Sequence, residues 1–338
     1  MRKIASLVTH LFAALVAVLS SAQFVSAQPR LSGQVFADAL AARQGYSVPA
    51  DSSAFRFRRL QVTAAQALDT TFSVQVQLEV DDGELTSQGK SAAFMKQAWL
   101  RWAHLRGLGD LTAGLSTTPT WDLSEAYWGY RSIEKTVMDL QGLGFSTDIG
   151  VSLRRAPVPM HAVGWFVMLS NDNGQRPEND DTKRLSLSVP WRRGDFVFEG
   201  LADVTPASGP LDRWTGKLFV GWQKGPNAAG VETYERVNAA AGVNGGDVRP
   251  AGVSVFGHRA FAKTWQMVGR VDWTDPDLSP HDAGYRQLYL IAALDASPRA
   301  NVHLMPNALI RTYPAKSGSL PHRDADVTLR VTLWFDLK

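Results

Sequence analysis

The sequence has no cysteine among its 338 residues, which excludes a disulfide-stapled scaffold, a thiolate metal site and a cysteine nucleophile. It also lacks a long hydrophobic run after Ala27, because charged or polar side chains interrupt every apolar stretch. No later segment therefore offers the ~20 apolar residues of a transmembrane helix. Charge of one sign is scarce as well. Lys plus Arg number 35 and Asp plus Glu 32; without Arg2 and Lys3 the balance is 33 to 32, a net charge near +1. Such a balance excludes the strongly basic domain of a nucleic-acid binder and gives no overall field to gather anions. HExxH, GxSxG and the Walker loop are absent, and nothing calls for a cofactor or a resident metal.

What is present begins at the amino terminus. Arg2 and Lys3 precede an apolar run from Ile4 to Leu19, followed by small residues up to Val25-Ser26-Ala27. That order reads as a secretory signal over residues 1–27, leaving a single domain over 28–338. An exported chain of this size without disulfides needs another source of stability, and continuous strand pairing provides one.

The stretch TFSVQVQLEVD at 71–81 places Phe72, Val74, Val76, Leu78 and Val80 on one face of a strand and Ser73, Gln75, Gln77 and Glu79 on the other. Soluble strands average about 5–6 residues, whereas a strand crossing a bilayer needs about 9–11. The alternation recurs along the chain and closes on Val327, Leu329, Val331, Leu333, Phe335 and Leu337, with no amphipathic helix of comparable clarity. Long polar connections at 41–54, 82–93, 117–145, 171–182 and 275–283 alternate with short links at 68–70, 105–109, 155–160, 192–194 and 297–300. This asymmetry predicts an all-β transmembrane antiparallel barrel with short periplasmic turns and longer external loops. Both ends on the periplasmic side require an even strand count. An extra crossing at Val231–Ala239 brings it to 16, with 14 as the alternative.

Aromatic residues near strand ends, Trp102, Trp191, Trp214, Trp222, Trp265, Trp273 and Tyr313, are candidates for two interfacial belts, and Pro306 marks a candidate bulge. Extending the phase of 71–81 turns Gln75, Gln77, Glu79, Arg101, Arg154, Arg270, Asp272 and Arg311 inward as pore-lining candidates, giving a wet lumen of mixed sign. FRFRR at 55–59 resists simple phasing, since Arg58 and Arg59 cannot both point inward without a bulge. Either Arg56 and Arg59 line the pore, or Arg58 does and Arg59 snorkels at the rim. The long connection 117–145 carries Trp121, Tyr127, Trp128 and Tyr130, which can pack it against the inner wall or form an external lid.

The segments FRFRRLQVTAAQALDTTFSVQVQLEVDD, FMKQAWLRW, LGDLTAGLSTTP and IEKTVMDLQGLGFSTDIGVSLR resemble, in order and spacing, the phosphate-selective porin O and P family. MVGRVDW at 267–273 and LDASPRANVHLMPNALIRTY at 294–313 resemble its second half. The resemblance implies a 16-stranded outer-membrane barrel of a Gram-negative type bacterium, usually trimeric, passing small hydrophilic solutes or anions and surrounded by outer-membrane lipid. Family members named for phosphate carry an arginine ladder and a lysine ring at the constriction. The matching stretches here hold Arg56, Arg58 and Arg59, with Arg131 and Lys135 in the loop, but Asp122, Glu125 and Glu134 share that loop. The chain also ends WFDLK rather than on an aromatic residue.

Two other classes share the alternation: a secreted soluble β-sandwich that binds a ligand, and a barrel phospholipase. For the second, none of His104, His161, His258, His281, His303 or His322 is followed two residues later by the serine that such a strand-borne site would use.

Overall fold

The computed structural model describes residues 28–47, 52–158, 160–206, 212–242, 245–279, 284–318 and 320–337. The expected signal over residues 1–27 lies outside them. Sixteen strands follow one another as β1 Arg30–Gln44, β2 Ser52–Ala67, β3 Phe72–Leu85, β4 Ser91–Trp102, β5 Asp110–Thr117, β6 Thr147–Arg155, β7 Trp165–Ser170 and β8 Arg184–Arg193. The second half comprises β9 Phe196–Thr205, β10 Arg213–Lys224, β11 Asn227–Asn238, β12 Ala251–Ala262, β13 Trp265–Asp275, β14 Gln287–Arg299, β15 Val302–Thr312 and β16 Asp326–Leu337. Each pairs antiparallel with its sequence neighbours, and β1 pairs with β16 to close the barrel. Closure removes the free edges that an open sheet of this size would expose. The crossing placed at Val231–Ala239 belongs to β11.

Alternation separates the two surfaces. Val76, Leu78, Val151, Leu169, Leu185, Leu218, Val255, Met267, Leu304 and Val331 all point outward and are exposed. Ser186, Ser188, Glu199, Asp203, Lys217, Ser254 and Thr332 point inward and are buried. The outer wall is apolar and the interior holds the ionisable groups, the reverse of a soluble globule.

One end of the barrel carries short links. Gly194-Asp195 and Gly225-Pro226 join β8 to β9 and β10 to β11, and Gly194 (φ 60°) and Gly225 (φ 56°) supply left-handed backbone that other residues adopt at a cost. At the opposite end lie the connections 118–146, 171–183, 239–250 and 313–325. Trp102, Trp165, Trp191, Trp222 and Trp265 sit near the short-link end, while Trp214 and Trp273 sit near the other. Tyr313 belongs to neither belt: its hydroxyl donates to Asp326 at the long-loop end, and its ring packs edge-on to Tyr46 at 5.2 Å.

Pro306 does not mark a bulge. Ala293↔Asn307 and Ala296↔Leu304 on either side of it keep one register, the β14–β15 ladder simply skips the intervening pairs, and the shift comes later, between Ala296 and Arg299. Proline removes the donor without adding a residue, so the bonds are lost and the alignment survives.

Candidate functional site: the charged passage through the barrel

The connection 118–146 enters the barrel. It carries two short helices, α1 Asp122–Trp128 and α2 Val137–Leu140. Trp128, Ile133 and Met138 are fully buried, with Trp121, Tyr127, Tyr130 and Val137 close to it. The loop lies against inward-facing Val197, Phe219, Phe256, Val268, Tyr289, Ile291, Met305 and Leu309, residues of β9, β10 and β12 to β15. The interior is therefore divided. The arc from β9 to β15 forms an apolar bed sealed beneath the loop, and a polar arc from β1 to β6 faces the loop's other side.

Wall guanidiniums fix the loop by its backbone. Arg58 donates to the carbonyl of Ser132, Arg330 to that of Ile133, Arg270 to that of Lys135 and Arg236 to that of Leu143. Four strands thus each hold one point of a segment whose short helices leave carbonyls without internal partners. Side chains add to the hold: Tyr289 donates to Glu134 Oε2 at 2.9 Å and Tyr130 to Asp295 Oδ2 at 3.0 Å.

Facing the loop, β2 and β4 each contain one extra residue. The register between β1 and β2 runs Phe36↔Arg59 and then Ala37↔Phe57, so Arg58 is the inserted residue. Between β3 and β4 it runs Gln77↔Gln97 and then Leu78↔Met95, which makes Lys96 the inserted one. The bulge that both arginines require is present: Arg56, Arg58 and Arg59 all turn inward while Phe55 and Phe57 stay outside.

These bulges converge on the loop. Arg59 Nε lies 3.3 Å and Lys96 Nζ 3.9 Å from Glu79 Oε1, and Gln61 donates to the same carboxylate. Opposite them Arg131 bridges Glu125 and Asp139, the latter at 2.6 Å, and Lys135 lies 3.9 Å from Asp139. Arg58 Nε pairs with Asp38 at 2.5 Å, and Arg330 reaches the same carboxylate at 3.6 Å. Every cation of this ring has a carboxylate beside it. Burial works against the charge on Arg131, but Glu125 and Asp139 outweigh it and hold the guanidinium protonated. Burial also pushes the Asp122 carboxyl up, with Arg154 opposing from 2.7 Å.

A chamber opens on each side of the ring. The one at the long-loop end, about 330 Å³, is bounded by Ser52, Arg56, Glu134, Tyr289, Arg311 and Arg330. The one at the short-link end, about 460 Å³, is bounded by Gln75, Gln97, Trp99, Arg101, Thr112 and Arg154. In the first, Arg56 pairs with Asp82. In the second, Gln97 Oε1 accepts from Gln75 Nε2 and Trp99 Nε1, both at 2.9 Å.

The residues expected inside thus fall into four groups. Arg59, Glu79, Arg131 and Lys135 come together at the ring, and Gln77 lies just below it, donating to Thr63 at 2.8 Å. Arg56 and Arg311 border one chamber, and Gln75, Arg101 and Arg154 the other. Arg270 and Asp272 face inward but are sealed under the loop as a pair, 2.8 Å apart, away from both chambers. Periodicity passed over Lys96 and Asp38. The signal for Lys96 was an apolar spacing of three, Met95 to Ala98, where two is the rule; Phe57 to Leu60 carries the same mark.

No protein-family model matches the chain, and no curated protein matches it. Solved structures do resemble it. An anion-selective porin from Comamonas acidovorans aligns with a TM-score of 0.67 at 10% identity over 92% of this chain and 99% of the other. The outer membrane channel DcaP of Acinetobacter baumannii aligns at 0.68 and 11% identity over 92% and 97%, and OmpF of Salmonella typhi, in complex with daunomycin, at 0.65 and 8% over 91% and 97%. At these identities the likeness is one of fold: the chain has the 16-stranded barrel of porins.

Proposed function

We propose that the chain is an outer-membrane porin, a passive diffusion channel for small hydrophilic solutes with a weak preference for anions. The observation that carries the reading is a closed barrel, apolar outside, with the loop 118–146 clamped inside it and charged chambers left open towards both ends. An apolar outer wall without free edges suits hydrocarbon. Selection in such a passage works by width and by the field at the narrowest ring, with no chemical step. Solved porins and channels of the same fold support this reading over a catalytic one.

Residues 1–27 would direct export and be removed, leaving 28–338 as the barrel. The family resemblance supports a homotrimer and raises phosphate as a solute. A ring in which each cation already faces a carboxylate favours weak anion preference over a dedicated phosphate filter.

Reconstitution into planar bilayers tests the proposal. Stepwise conductance in KCl and a small reversal potential of anionic sign in a salt gradient are expected. Material that stays monodisperse without detergent and adds no ion flux overturns the channel reading and leaves a soluble binding protein in its place.

A further inference from the structure

Two inward arginines differ from those at the ring. Among the described residues, neither Arg101 nor Arg311 forms a hydrogen bond or ion pair through its side chain, and in both the Nε is buried without a partner. Each lies over an aromatic ring at the same distance: Arg101 Cζ is 4.6 Å from the Trp99 centroid and Arg311 Cζ 4.6 Å from that of Tyr289. Arg101 borders the chamber at the short-link end and Arg311 the one at the long-loop end.

The nearby carboxylates are already engaged. Asp110 accepts from the His104 backbone at 3.0 Å, and Asp122 pairs with Arg154. At the other end Glu134 accepts from Tyr289, while Asp326 accepts from the Ser47 backbone at 2.9 Å and from Tyr313. Every cation of the ring between the chambers touches a carboxylate, and the two inward guanidiniums that touch none, Arg101 and Arg311, stand before and after it.

We propose that Arg101 and Arg311 are a pair of organic-carboxylate subsites, one in each chamber, which an anion occupies in turn on either side of the ion-paired ring. The inference deepens the porin reading and rests on it. A guanidinium whose Nε is covered presents its Nη end, and two parallel N–H groups there match the two oxygens of a carboxylate. The ring beneath extends the site as a flat apolar wall, which suits an acid with a planar body such as benzoate. A tetrahedral phosphate needs donors converging from several directions, and each chamber offers one unengaged guanidinium. Volumes of about 330 and 460 Å³ lie at the small end of the roughly 300–1,000 Å³ of ligand pockets.

The test uses single channels of the full-length protein in KCl, with benzoate or inorganic phosphate added to one side. Benzoate should interrupt the current at concentrations where phosphate does not. Arg311→Gln should weaken the block from the long-loop side, and Arg101→Gln that from the short-link side, each about tenfold. Arg101→Lys and Arg311→Lys keep the charge but lose the planar fork, and should behave like the glutamine variants. Heat-modifiable gel mobility checks that the variants assemble. Wild-type channels that conduct KCl but give equal block by phosphate and benzoate, or lysine variants with wild-type block, overturn the subsites and leave the porin standing. Saturation-transfer NMR of benzoate on detergent-solubilised protein reads binding independently of conduction; no transfer overturns the proposal whatever the channel does.

Discussion

Two arcs of the same barrel wall obey the same alternation and meet different surroundings. From β1 to β6 the inward residues include Arg59, Gln61, Glu79, Lys96 and Arg101, facing the ring and chambers; from β9 to β15 they include Val197, Phe219, Phe256, Ile291 and Met305, packed under the loop. Strand parity tells which way a side chain points. Whether that side chain meets water depends on what the chain places inside the barrel. Lys217 and Glu199 illustrate the gap, for they point inward and are sealed as a pair 2.8 Å apart.

The largest effect should come from crossing the wall itself. Val76 and Gln77 are adjacent on β3 and face opposite ways, Val76 being 44% exposed on the outer surface. Val76→Arg places a cation in the apolar belt and should cost about 2–4 kcal/mol near a bilayer midplane, seen as lost assembly or a lowered urea midpoint in detergent or lipid. Gln77→Arg should assemble normally. Equal tolerance of both would remove the distinction between the faces.

The next comparison separates the bed from the passage. Trp128 is fully buried among Tyr130, Phe256 and the Arg270 guanidinium, whose Cζ lies 5.2 Å from its ring. Trp128→Ala should cost about 3–5 kcal/mol of packing, freeing the loop and giving larger, noisier single-channel currents. A quiet channel of wild-type conductance would mean that the clamping arginines hold the loop without the apolar bed.

The sign of the field offers a third test. Glu79 is the carboxylate that Arg59 and Lys96 share. Glu79→Gln should leave both uncompensated and raise the anion-to-cation permeability ratio several-fold, since like charges within 4–6 Å act strongly on one another and on passing ions. Asp272→Asn beneath the loop removes one negative charge as well, yet should leave the reversal potential near its wild-type value. If both variants shift it equally, the passage responds to total charge and the division into two arcs has no functional meaning.

How much of this was legible in the sequence follows from where each feature is encoded. Period-two alternation is local, so strand number, closure and the outward set Val76, Leu78, Met267 and Val331 could be read from one chain. The alternation of long and short links gave the two ends for the same reason. The bulges at Arg58 and Lys96 were written as a single step of three between apolar residues, a weak signal that a two-residue template passes over. The apolar bed was harder still, because Phe219 or Ile291 on an inward face conflicts with a wet lumen until the loop that covers it is placed. Trp121, Tyr127, Trp128 and Tyr130 announced that the loop would bury something, while the partners come from strands far away in sequence.

The smallest effect concerns the edge of the divide, where α1 meets the passage. Asp122 begins that helix and pairs with Arg154 of β6 at 2.7 Å, and burial holds its carboxyl above the ordinary range. A raised carboxyl takes up its proton at a higher pH than its exposed counterparts, so as the solution is acidified Asp122 loses its charge before they do. Arg154, which lies over the Phe166 ring at 5.0 Å, then stands uncompensated at the border of the short-link chamber. The anion-to-cation permeability ratio should therefore rise modestly as pH falls towards the carboxylate range, by less than Glu79→Gln produces. In Asp122→Asn the early part of that rise should be smaller, because this charge has already gone, and the ratio at neutral pH should start higher. A variant that keeps the wild-type pH profile would assign the change to other carboxylates and detach α1 from the field of the passage.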